Sequence, residues 1–154
     1  MRIALLLAVA LLFGAMPAHA NESFLTAPAG YEAVWQSLPL RHRQLVRSIQ
    51  IDRTSSGQSR RSTMSIHLTP HRGPQSDRTL VHEVCHIIAY ANPELEQAWS
   101  AQFWPKGKPV GKPPTEYART SPAEDWAVSC EKARGGGPDD LTRAAFIRAW
   151  NVWP

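Results

Sequence analysis

The segment from Ser76 to Asn92 constrains this chain more than any other. Gly73-Pro74 closes the stretch before it, and Pro93 ends it on the other side, because the residue ahead of a proline is pushed off the helical region. Ser76 or Asp77 can cap a helix here, and at about 100° per residue its side chains sort into two arcs. Leu80, Val81, Val84, Ile87, Ile88 and Ala91 make an apolar arc, while His82 and His86 stand on the other side. Such a helix has to bury its back in a core and turn both imidazoles toward an opening.

The flanking sequence predicts an α+β domain with a mixed first part and a helical second part. Val34, Trp35 and Leu38 form a short apolar-periodic stretch, and Pro39 can open a helix running through Leu45 to about Ile49. Ile49 and Ile51 then alternate, Ser55-Ser56-Gly57 reads as a turn, and Met64, Ile66 and Leu68 alternate with Ser65 and His67. That pattern predicts a hairpin or small antiparallel sheet packed on the central helix. Glu94 to Trp104 reads as a further helix, and the proline-rich Pro105–Pro114 stretch as a loop. Ser121-Pro122 opens a helix to about Lys132, Gly135-Gly136-Gly137-Pro138 breaks it, and Asp139 or Asp140 starts a last one through Trp150.

Met1-Arg2, the apolar run Ile3 to Phe13 and Ala18-His19-Ala20 match a secretory signal peptide over residues 1–20. The expected mature part, residues 21–154, is one domain exported to a periplasmic or extracellular space. No apolar run approaches the roughly 20 residues of a spanning helix, so no membrane span is expected. With Arg2 removed, 16 basic side chains face 13 acidic ones, and no stripe of lysines and aromatics marks a nucleic-acid surface. A monomer is the simplest expectation. Cys85 and Cys130 are an even pair in an oxidising compartment, which allows one disulfide and leaves a free buried thiol open.

His82-Glu83-Val84-Cys85-His86 has the H-E-x-x-H spacing. On a helix the two imidazoles lie about 40° apart around the axis and can share one zinc ion, with Glu83 beside the metal as a general base. A catalytic zinc needs three protein ligands and one open position, so a third ligand is required. Glu124, on the next capped helix, is the favoured one, although Ser121-x-x-Glu124 also fits a capping box that would occupy its carboxylate. Asp125, Glu131, Glu94 and His71 are the lesser candidates.

H-E-x-x-H followed by Tyr117-x6-Glu124-x-Trp126-Ala127 resembles the small zincin metallopeptidases of the gluzincin type, including the catalytic domain of anthrax lethal factor. The resemblance implies a minimal zincin-like fold, one Zn2+ per chain held by His82, His86 and Glu124, and Tyr117 stabilising the oxyanion. It also implies a cleft strand that pairs with an extended peptide, and Met64, Ser65, Ile66 and His67 stand where that strand is expected. Val128 occupies a position that is often acidic in the family. The expected activity is zinc-dependent hydrolysis of a peptide or protein substrate. A zinc-dependent cell-wall amide hydrolase and a non-catalytic, zinc-stabilised binding module are the alternatives.

Overall fold

The computed structural model describes residues 26–53, 57–137 and 140–153, so the expected leader at 1–20 lies outside the described residues, as do Ser55 and Ser56 of the expected turn. Two short helices, α1 (Glu32–Gln36) and α2 (Leu40–Arg43), precede strands β1 (Ser48–Ile51), β2 (Gln58–Arg60) and β3 (Ser65–Leu68). Helices α3 (Pro74–Ala91), α4 (Pro93–Phe103), α5 (Pro122–Arg134) and α6 (Leu141–Ala149) come next, with 3-10 turns at Pro105–Gly107 and Tyr117–Arg119. The architecture is mixed α+β.

The sheet differs from the expected antiparallel one. Its order is β1-β3-β2, with β1 parallel and β2 antiparallel to β3. The hairpin joins β2 to β3 through residues 61–64, where Met64 takes φ 50°, rather than turning near Gly57. Pairing by a tight turn is therefore available to β2, and β1 reaches β3 only in the parallel sense. Ile66 and Leu68 are fully buried, and Ser65 and His67 are nearly so. The polar half of the alternation is thus covered as well, which is what a central strand requires.

Two helix boundaries also move. The helix expected over Pro39–Ile49 ends at Arg43, and Ser48–Ile51 extend against β3 instead, where the β-branched Ile49 and Ile51 are better accommodated. Helix α3 begins at Pro74 rather than at a Ser76 or Asp77 cap. Gly73, at φ 104°, makes the turn, and the fixed φ of proline suits the first helical position.

Leu80, Val84 and Ile87 on the back of α3 are fully buried and join Ile66, Leu68, Trp35 and Trp99 in one core. Helix α5 packs along α3 and against α4, and three links hold it there, two to α3 and one to α4. The Trp126 indole N–H donates to the Cys85 carbonyl at 2.7 Å, Cys85 is disulfide-bonded to Cys130 with Cα atoms 6.0 Å apart, and Trp126 meets Trp99 edge to face. In the chain-entropy view, a crosslink spanning 45 residues stabilises by about 4 kcal/mol.

Candidate metal centre

Ser121 caps α5 by accepting the Glu124 backbone N–H at 3.1 Å. The Glu124 side chain does not complete a capping box. Its Oε2 lies 3.1 Å from His82 Nε2 and 3.4 Å from His86 Nε2. Residues 82 and 86 are one helical turn apart on α3, so both rings face α5, with centroids 4.9 Å apart. One ligand atom from each of His82, His86 and Glu124 falls within 4.8 Å of the other two.

This donor set fits zinc. Bonds of about 2.0–2.2 Å at tetrahedral angles place neighbouring ligand atoms about 3.3 Å apart, close to both measured carboxylate–imidazole separations. Two imidazoles and one carboxylate also leave a fourth position for a reacting group, and imidazole nitrogen disfavours calcium or magnesium.

The electrostatics arise from the crowding of acids around His82. Burial alone would lower its pKa, but the hydrogen bond to Glu124 and the nearby carboxylates of Glu131 and Glu83 push it up to about 9. Burial would likewise raise Glu124, and its hydrogen bonds to both histidines more than reverse that, holding the carboxyl well below the usual range. Glu83 is 6% exposed, and its burial raises its pKa despite the opposing charges of His86 and His82. A carboxylate shifted upward is a better proton acceptor near neutrality. Ser59 on β2 stands close enough to the Glu83 carboxyl to favour its charged form, and its hydroxyl also meets Tyr90 Oη at 3.5 Å.

Tyr117, on the 3-10 turn before α5, stands at the rim and is 56% exposed. Its ring lies 6.0 Å from that of His82. Desolvation and the adjacent Glu124 charge push the phenol up to about 12, so it remains a neutral donor.

Asp125, His71 and Glu94 stand away from this centre. Asp125 is fully buried and paired with Arg143, His71 pairs with Asp77 at 2.9 Å, and Glu94 is exposed on α4. Glu131 approaches His82 from the opposite ring nitrogen, with Oε2 3.7 Å from Nδ1. Met64, Ser65, Ile66 and His67 do not form a substrate strand, because both edges of β3 are already paired and three of the four residues are buried. The free edge nearest Glu83 belongs to β2.

Sequence reading missed Ser59 and Gly57. A Cβ at Gly57 would collide with Thr79 Cγ2 and come within 3.2 Å of Glu83 Oε1, so only glycine lets the chain pass over the base at φ 121°. No local spacing announces either contact, since both depend on how β2 lies on α3. Comparison of the chain with family models, curated proteins and solved structures gives no match.

Proposed function

We propose that this chain is a zinc-dependent peptidase built on an α+β fold, hydrolysing peptide or protein substrates outside the cytoplasm. The observation that carries the reading is the convergence of two imidazole nitrogens on one carboxylate oxygen, with a buried glutamate one residue from the first histidine. His82, His86 and Glu124 would hold one zinc ion. When bound, zinc acidifies water to a pKa of about 7 and polarises a carbonyl.

The chain's own groups supply the rest. Glu83 accepts the proton of the attacking water and returns it to the leaving amine, so no covalent intermediate is needed. Ser59 orients that carboxyl. The neutral Tyr117 hydroxyl donates to the oxygen that gains charge at the attacked carbonyl. An extended peptide pairs with the edge strand β2, Gln58–Arg60, which lies beside the base and whose outer edge is unpaired among the described residues. The disulfide beside the centre suits an oxidising compartment.

Glu83→Gln tests this reading. An unstructured protein and purified peptidoglycan are incubated separately with zinc-loaded wild type and variant, and the products are identified by mass spectrometry. The variant is expected to keep its zinc and lose turnover at least 100-fold, the scale of a general-base contribution. Equal cleavage by both proteins contradicts the role of Glu83, and cleavage confined to peptidoglycan reassigns the substrate class.

A further inference from the structure

A neutral imidazole carries one N–H and one lone pair, and a metal ligand needs the lone pair on the nitrogen that faces the ion. For His82 this requirement conflicts with its nearest neighbour. Glu124 Oε2, 3.1 Å from Nε2, stabilises a proton on the very nitrogen that must be bare. An acceptor on the far side of the ring favours the other tautomer before the ion arrives.

That acceptor is Glu131. It stands seven residues after Glu124 on α5, two turns along the same face, and its Oε2 is 3.7 Å from His82 Nδ1, an ion-pair approach that a small side-chain rotation closes to a hydrogen bond. Its other oxygen accepts from Arg78 Nε at 2.9 Å, and Arg78 lies one turn before His82 on α3. Arg78, Glu131, His82, Glu124 and His86 thus alternate along the seam between the two helices. Glu131 is 14% exposed on its side chain, whereas Arg78 is 62% exposed, so the acid is enclosed and the arginine holds it from outside. His86 has no counterpart, and its buried Nδ1 meets no hydrogen-bond partner among the described residues.

We propose that Glu131, steadied by Arg78, is the positioning residue that keeps the Nδ1–H tautomer of His82 and so presents Nε2 to the metal. This role rests on the zinc reading above. It also gives the seam a function in a chain whose position 128 is valine.

Zinc affinity of the full exported chain, measured by competition with a chromophoric chelator, tests the assignment without using catalysis. Wild type, Glu131→Ala, Glu131→Gln and Arg78→Ala are compared, with far-UV circular dichroism confirming each fold. Losing a carboxylate behind a metal-bound histidine typically weakens affinity about 10- to 100-fold. Glu131→Ala is expected to show that loss and an altered visible spectrum of the cobalt-substituted protein. Glu131→Gln, which keeps an acceptor, should fall between it and wild type, and Arg78→Ala should lose less than Glu131→Ala. Zinc uptake by Glu131→Ala within twofold of wild type, with an unchanged cobalt spectrum, overturns the role of Glu131 alone. Equal losses in Glu131→Ala and Arg78→Ala overturn it too, since a mere tether between helices is broken by either. Failure of wild type to take up zinc overturns the metal reading and this assignment together. If Glu131→Ala does not fold, Glu131→Leu, which keeps the bulk and removes the acceptor, decides by the same twofold criterion.

Discussion

Tyr117 offers a clean separation of chemistry from stability, because more than half of it is exposed and its phenol stands next to the Glu124 carboxylate. Tyr117→Phe should lower kcat about 100-fold, the effect of losing one oxyanion donor, with KM and thermal stability nearly unchanged. A rise in KM at constant kcat would instead make Tyr117 a binding group. His42 carries a second prediction, far from the metal. It is 5% exposed, its Nδ1 meets no hydrogen-bond partner among the described residues, and burial together with the Arg41 charge brings its pKa down to about 4 from 6.5. Below pH 6.5 the unfolded chain takes up a proton that the folded chain refuses until about pH 4, so stability falls as pH falls through that window. His82 acts with the opposite sign in chelated protein. Its contribution is complete below pH 6.5 and lost as pH rises through about 9. Urea midpoints in chelator should therefore decline on both sides of about pH 6.5, and His42→Phe should flatten only the acid side. An unaltered acid side contradicts the assignment to His42.

At the scale of elements, α6 is joined to α5 by a charge pair in the core. Arg143 donates to Asp125 through Nε at 2.9 Å and Nη2 at 2.7 Å, Trp104 donates to the same carboxylate at 2.8 Å, and Asp125 and Arg143 are fully buried. Arg143→Ala leaves an uncompensated buried carboxylate and should cost about 3–5 kcal/mol, read from denaturant unfolding. A loss below about 1 kcal/mol would show that Asp125 finds another partner or water. Helices α3 and α5 were legible in the sequence because period, proline and a serine cap act locally. The capping-box pattern at Ser121 was legible too, but it could not say which way the Glu124 carboxylate turns. That depends on α3 arriving alongside with two histidines on the facing turn. The strands were visible as apolar alternation, whereas their order was not. Ser65 and His67 look like a solvated face, and only the placement of β1 and β2 on both sides of β3 buries them. Glu131 and Arg78 were available from helical spacing alone, seven residues after Glu124 and four before His82, once α3 and α5 are laid side by side.

For the molecule as a whole, the central claim is that two helices are locked together at their backs so that their fronts can hold one ion. Trp126 and the Cys85–Cys130 bridge fix the spacing of α3 and α5 behind the ligands. The sheet supplies the strand that steadies Glu83, and no helix among the described residues is long and apolar enough to cross a membrane. Binding to such a prearranged centre also stabilises the fold, by about 4 kcal/mol at zinc a thousandfold above Kd, so a chelator should lower Tm reversibly. The most direct measurement is zinc stoichiometry and affinity on the purified protein and on Glu124→Ala at one pH. One zinc per wild-type chain is expected, and removing the carboxylate should lower affinity at least 100-fold, about 2.7 kcal/mol or more. A wild-type chain that takes up no zinc, or a Glu124→Ala chain that binds as tightly as wild type, would contradict the central claim.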